Sequence, residues 1–431
     1  MSYNDFIIYH IYTFSLADAP FQNDYSHIGH KLEQLAKWIP HITGLGCNAV
    51  LFSPVLKSKT HGYDVTDYFQ IDNRIGTNAE FKALVARFHD AGIRVILDSV
   101  FNHCGRDFFA FKELKQGRIE NARWFSGVDF NCRSPMGDEF SYDCWSGHFN
   151  LVKFNLSDEK VKGYLLDAAR FWIDEFNIDG MRLDSANVLD FDFMRELRGL
   201  VTSVNPDFWL MGEVVAGDYS RWINDGMLHS VTGYMLYKAL FSSHNNNNLY
   251  ELANTVSRSI PDNGLANYNF LDNHDQPRII DNVADPAFLK TLYPLLFTLP
   301  GIPSVYYGSE WEIHGKKENG SDQPIRPYID IDNTPPETDI TRLIRKSAEI
   351  RSACKALKYG GYRQVYLQYR RPFVFERYFG DERVLVAVNI SDNTEILSIS
   401  DGDKRDMLTG ETVNLARFGI EPHSVMILKT D

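Results

Sequence analysis

Long apolar runs are missing from this chain, and no stretch of ~20 apolar residues that could span a bilayer as one helix occurs. Residues 1–6 carry neither the basic nor the apolar segment of a secretory leader, so a cytoplasmic protein is expected. Cysteine is scarce: Cys47, Cys104, Cys132, Cys144 and Cys354 are an odd, scattered set without a CxxC pair. That pattern excludes the usual zinc spacings and a disulfide-dense scaffold. The five read as reduced thiols, with Cys132–Cys144 left open as a bridge. No basic block interrupts a formal net charge of −13, which argues against nucleic acid and anionic membranes as partners. No Gly-rich phosphate loop follows the first expected strand, which counts against an open dinucleotide-binding sheet. No internal repeat is visible.

The chain is 431 residues long and 44% apolar, too long for one ordinary core of ~100–200 residues. Aromatic residues make up 13%; a large core absorbs most of them, and exposed ones suit stacking on sugar rings. Strand-like runs at 7–14, 49–52, 94–100, 180–184, 208–213, 268–271 and 304–307 alternate with helical patterns, among them 30–39, 79–91 and 158–176. Such alternation predicts a parallel sheet with helices outside, and about eight units fit a (β/α)8 barrel. The polar run His244–Asn248 reads as a surface turn.

Two segments break the rhythm. Cys104 to Asn155 is a long aperiodic loop leaving the third strand, and a loop of that length is expected to be functional or a small subdomain. Beyond Leu357, runs at 365–369, 373–378, 384–390, 395–399 and 425–428 predict an antiparallel β-sandwich. The expected organisation is a barrel over 1–103 and 156–357, a loop subdomain over 104–155 and a β domain over 358–431.

Three carboxylates fall at or just beyond the ends of expected strands: Asp184, Glu213 and Asp275. In a barrel those ends converge on one pocket. One such carboxylate would more often be a cap or a surface charge; three on separate strands are harder to dismiss. Arg182 and Asp184 are two apart on one strand and point the same way. The expectation is that Arg182 lowers the pKa of Asp184, while apolar Leu210, Met211, Val214 and Val215 raise that of Glu213. An anionic nucleophile beside a protonated acid is the requirement of a retaining glycosidase.

Six segments occur in an order that resembles glycoside hydrolase family 13, the α-amylase family. They are Gly62-Tyr-Asp64, Asp98-Ser-Val-Phe-Asn-His103, Gly180-Met-Arg-Leu-Asp-Ser-Ala-Asn187, Gly212-Glu-Val-Val215, Phe270-Leu-Asp-Asn-His-Asp275 and Gly301-Ile-Pro-Ser-Val-Tyr-Tyr-Gly308. The resemblance runs from about Phe6 to the end. It implies Asp184 as nucleophile, Glu213 as general acid/base and Asp275 as the third carboxylate, which holds sugar hydroxyls. It further implies Arg182 as the nucleophile's partner, His103 and His274 as hydroxyl-binding groups and Tyr63 as the platform beneath the cleaved sugar. Asp64 and Asp98 fit a supporting network.

Leu151-Val-Lys-Phe-Asn155 resembles an element of the neopullulanase and cyclomaltodextrinase branch, with Lys153 at its lysine position, and Asn187 agrees. Val188, Val215 and Ser309 depart from the branch pattern, and no N-terminal β domain of the kind that branch carries is expected. Trp145 is the loop aromatic chosen as a sugar contact. The resemblance implies hydrolysis of α-1,4 bonds in linear or cyclic malto-oligosaccharides, with glucosyl or maltosyl transfer as the alternative. A non-enzymatic sugar-binding relative would typically lack the carboxylates. No cofactor is expected and no metal is assigned, although Asn102 matches a calcium position of many α-amylases and Asp129, Asp138 and Asp143 are nearby candidates. The expected partner is an α-glucan oligosaccharide, and the expected assembly a monomer or weak homo-oligomer.

Overall fold

The computed structural model of the protein describes residues 2–259 and 266–429. At its centre lie eight strands: β1 (Ile8–Ile11), β2 (Ala49–Phe52), β3 (Arg94–Ser99), β4 (Gly180–Leu183), β5 (Trp209–Gly212), β6 (Ser230–Val231), β7 (Tyr268–Phe270) and β8 (Ile302–Tyr306). They hydrogen-bond in the order β6-β5-β4-β3-β2-β1-β8-β7, every pair parallel. A parallel bridge between Thr232 and Tyr268 brings the two ends of the sheet together. The fold is a (β/α)8 barrel.

Burial on both faces explains why these strands read as apolar runs rather than as alternation. The pleat still sorts them. Ile8, Leu51, Ile96, Trp209, Met211, Phe270 and Ile302 pack together inside the barrel, while Tyr9, Val50, Val95, Leu210 and Val305 join the core beneath the helices. The inward parity also carries Asp98, Arg182, Asp184 and Glu213, all toward the C-terminal ends of β3, β4 and β5.

Several expected boundaries shift. The run expected as a strand to Phe14 ends at Ile11 and turns helical over Thr13–Leu16, where Thr13 Oγ1 donates to the Ser53 carbonyl at 2.6 Å. The helix expected over 30–39 splits into Leu32–Ala36 and Ile39–Gly44, with Pro40 in the first turn of the second, where its missing N–H costs nothing. The helix expected over 79–91 runs Asn78–Asp90, its start set by the reciprocal capping box of Thr77 and Glu80. The expected surface turn at His244–Asn248 begins inside the protein: His244 ends up fully buried on the helix Tyr234–Asn245.

The long loop builds a three-stranded antiparallel sheet from His103–Gly105, Cys144–Trp145 and His148–Lys153. Trp124, Phe125, Phe140 and Tyr142 are buried within it, while Trp145 and Phe149 stay half-buried. The C-terminal region forms a six-stranded antiparallel sheet starting at Gly361–Leu367, with a separate pair Glu395–Leu397 and Phe418–Ile420 packed on it. Its first strand begins four residues before the expected Val365; Arg363 and Gln364, exposed and polar, carry no apolar run to mark that start. The buried Arg377 joins it to the barrel, and the buried Arg351 braces the barrel's last helices beside it. Arg377 donates to the carbonyls of Thr298, Gly360 and Gly361, and Arg351 to those of Phe297, Gly301 and Leu357. All five cysteines are free, Cys132 and Cys144 included.

Candidate active site

One guanidinium organises the site. Arg182, 3% exposed, places Nη1 2.6 Å from Asp98 Oδ1 and 3.3 Å from Asp184 Oδ1. Its Nη2 lies 3.1 Å from Glu213 Oε2 and 4.0 Å from Asp275 Oδ2. The three carboxylates named from sequence therefore share one cation, with Asp98 as a fourth. Ser185 ties two of them: its backbone N–H donates to Glu213 Oε2 at 3.0 Å and its hydroxyl to Asp184 Oδ2 at 3.1 Å. Ser185 has φ +50°, a conformation uncommon for a side-chain-bearing residue, and that turn aims its N–H across from β4 to β5.

The expected electrostatics of Asp184 are overturned. Burial and the neighbouring Glu213 charge push its carboxyl well above the usual range, and Arg182 only partly offsets them. Arg182 is divided among several anions and makes its shortest contact with Asp98, so it cannot hold Asp184 low on its own. Asp275 goes the other way. Burial works to raise it, but His274, Arg326 and Arg182 together hold it well below the ordinary carboxylate value.

Tyr63, His274 and Asp275 form a linked wall. The Tyr63 hydroxyl donates to Asp98 Oδ2 at 2.9 Å and touches His274 Nε2, which lies 3.0 Å from Asp275 Oδ2. Gly62 has φ +95°, and a Cβ there would meet Phe14 at 2.6 Å, so only glycine permits the turn presenting Tyr63. His103 is buried next to Trp145, with ring centroids 6.0 Å apart. Burial pushes His103 down to about 3, leaving it neutral, and its Nε2 has no partner. Sequence reasoning missed Arg326, Tyr12 and Tyr234. Arg326 Nη2 is 3.0 Å from Asp275, its guanidinium lies 4.6 Å from the Tyr12 ring centre, and the Tyr234 hydroxyl sits 3.5 Å from Glu213 Oε1. Arg326 stands in the long segment after β8, where no strand pattern flags it.

A cavity of about 330 Å³ opens beside Glu213, lined by Trp145, Lys153, Asn187, Val188 and Val215 among others. The structure thus brings the nine sequence-chosen residues into two adjoining groups: Tyr63, Arg182, Asp184, His274 and Asp275 around the guanidinium and its neighbours, and Trp145 and Lys153 along the cavity with His103 beside them, Glu213 being common to both.

The family model for the α-amylase catalytic domain matches residues 11–356. The chain belongs to the α-amylase family. A cyclomaltodextrinase of Thermoanaerobacter pseudethanolicus is 30% identical over 424 residues, covering 94% of this chain and 71% of that protein. Neopullulanase 2 of Thermoactinomyces vulgaris is 29% identical, with 94% and 71% covered. Among solved structures, cyclic α-maltosyl-(1→6)-maltose hydrolase from Arthrobacter globiformis superposes with a TM-score of 0.83 at 26% identity, covering 99% of this chain and 98% of that one. The α-amylase from Geobacillus thermoleovorans gives 0.82 at 26% identity, covering 100% and 99%. The protein is an α-amylase-family glycoside hydrolase.

The calcium candidates of this family member are engaged separately. Arg106 binds Asp138 through both carboxylate oxygens, Ser126 donates to Asp143, and Asp129 accepts from Asn131 and Cys132. Asn102 Nδ2 sits 3.2 Å from His103 Nδ1. Among the described residues, no group of three or more His, Cys, Asp or Glu side chains gathers as a metal site.

Proposed function

We propose that the chain hydrolyses α-1,4-glucosidic bonds in linear or cyclic malto-oligosaccharides by double displacement with retention. The observation that carries this reading is the Arg182 guanidinium within 4.0 Å of Asp184, Glu213 and Asp275. Names of relatives support the substrate class: cyclomaltodextrinase, neopullulanase and maltogenic α-amylase. Asp184 attacks the anomeric carbon while Glu213 protonates the departing glycosidic oxygen. Glu213, now anionic, takes a proton from water, and the hydroxide displaces Asp184 from the glycosyl–enzyme ester. Asp275, kept ionised by His274 and Arg326, accepts hydrogen bonds from sugar hydroxyls; Tyr63 supplies the stacking face, and His103 and His274 the polar edges.

Transfer to a sugar acceptor is a second reading with its own support. Val188 and Val215, 49% and 52% exposed, leave apolar surface beside Glu213 where a sugar face binds better than water does. A cytoplasmic location accords with five free thiols, one of them exposed. No helix among the described residues is long and apolar enough to cross a membrane.

The decisive test is Asp184→Asn. The amide nearly matches the carboxylate in shape but cannot attack as an anion, so turnover of maltotriose should be abolished with the melting curve retained. Activity kept at more than a small fraction of wild type would overturn the assignment.

A further inference from the structure

The barrel sets a further histidine against the site. His10 lies next to last on β1, is 2% exposed, and shares the inward face of that strand with Ile8. Neighbouring strands fix its ring. Nε2 lies 2.9 Å from Ser53 Oγ, just past β2, and Nδ1 3.4 Å from the hydroxyl of Tyr268 on β7. Tyr268 donates in turn to Ser304 Oγ of β8 at 2.8 Å, and the ring of Tyr306 on β8 is centred 5.2 Å away. Serine and tyrosine hydroxyls both give and accept, so these partners satisfy a neutral ring in either tautomer. Burial, helped by nearby His274 and Arg182, holds His10 well below its ordinary value, so it adds no charge to the site.

What His10 touches there is His274. The two rings are centred 5.1 Å apart at 82°. His274 is hydrogen-bonded at one ring nitrogen only. Its Nε2 meets Asp275 and the Tyr63 hydroxyl, while buried Nδ1 has no partner among the described residues. A ring anchored at one nitrogen can still tilt about that point, and packing must remove the freedom. Tyr63 and Tyr12 lie nearly parallel to His274, at 9° and 19°, with centres 5.7 and 6.2 Å away. His10 supplies the perpendicular contact. It is too buried to reach a sugar, so its effect on the reaction passes through His274.

We infer that His10 is a positioning residue: it holds the His274 ring in the orientation that brings Nε2 to Asp275 and to the hydroxyls of the sugar being cleaved. The inference rests on the catalytic reading above. His10→Ala should lower kcat on maltotriose about tenfold or more with KM nearly unchanged, because the misplaced groups act most strongly in the transition state. His10→Gln, which fills the space and keeps a donor and an acceptor, should hold kcat within about threefold of wild type. In a His274→Ala background the same His10→Ala change should cost less than about twofold, since residues acting through one contact are not additive. If His10→Ala does not fold, His10→Asn, a methylene shorter than glutamine, replaces it in both backgrounds. Imidazole NMR reads the contact without turnover. The His274 signal, identified by its loss in His274→Ala, should move in His10→Ala while that of His244 stays. Wild-type kcat in His10→Ala, an equal loss in both backgrounds, or an unmoved His274 signal overturns the inference. An inactive wild type whose His274 signal still moves in His10→Ala overturns the catalytic reading alone.

Discussion

His244 offers a quantitative test of how burial shapes the acid stability of this protein. Its ring is fully buried and edge-on to Phe288, with centroids 5.4 Å apart. Nδ1 lies 2.6 Å from the Leu240 carbonyl and so carries a proton, and Nε2 lies 2.9 Å from Thr291 Oγ1, whose hydroxyl donates to the Phe288 carbonyl at 2.8 Å. Burial pushes His244 down to about 4, against ~6.5 in an unfolded chain. Between those values the unfolded chain binds a proton that the native protein refuses, so stability falls as pH falls. From pH 7 to pH 5 the linkage amounts to about 2 kcal/mol for this one group. That is a sizeable part of the ~5–15 kcal/mol of a typical fold. The perturbation is His244→Gln, which keeps donor and acceptor atoms but cannot take up the proton. Urea unfolding of both proteins at pH 7 and pH 5 gives a difference of differences. It cancels His103 and His229, both pushed by burial to about 3, and Asp184 and Asp272, whose burial-raised carboxyls act in the opposite sense. The variant should lose about 2 kcal/mol less than wild type between the two pH values. Equal losses would show that His244 protonates in place, and the reasoning would fail.

Early-time NMR should show the α-anomer as the first product of maltotriose cleavage; a β-anomer would contradict double displacement. Ser185→Gly and Ser185→Val both lose the hydroxyl on Asp184, but glycine accepts φ +50°, so the valine variant should have a kcat at least tenfold below the glycine one, since ~1–2 kcal/mol of left-handed strain would move the N–H that holds Glu213. Comparable activity of the two variants would disconnect that turn from catalysis. Trp145→Ala should raise KM for long oligosaccharides more than for short ones with little change in melting temperature, because Trp145 stays half-buried at the cavity. A melting point several degrees lower with unchanged kinetics would assign it to the loop core instead.

The barrel was legible because parallel strands buried on both faces leave short apolar runs, and helices such as Asn78–Asp90 announce their starts through capping residues. β6 was not legible: two residues, Ser230 and Val231, give no periodicity to detect. His244 was misplaced because its polar neighbours set the local composition, while its burial depends on Thr291, distant in sequence. At the site, the carboxylates could be read from their places at or near strand ends, and the motif matches named their partners. The charge balance could not be read, since it depends on how many anions converge on Arg182. Arg326 stayed hidden for a related reason: its contact with Asp275 spans 51 residues and involves no regular element.

That charge balance bears on the proposed chemistry. Asp98 takes the shortest contact with Arg182, and Asp275 has its own cation in Arg326 as well as His274 alongside. Asp184 and Glu213 are left with longer shares of one guanidinium, 3.3 and 3.1 Å away. Two buried carboxyls in that position do not both ionise cheaply, and the cost falls on Asp184, whose carboxyl is raised. Double displacement needs one anion to attack and one acid to protonate the leaving oxygen. The Ser185 N–H donates to Glu213, while burial and the neighbouring Glu213 charge raise Asp184. Bound substrate must therefore offset the cost of the Asp184 anion. A leaving-group oxygen beside Glu213 supplies the acceptor for its proton, and developing positive charge at the anomeric carbon stabilises the Asp184 anion. On this reading the division of Arg182 among four carboxylates leaves Asp184 raised, and the bound sugar supplies the charge that lets it attack as an anion.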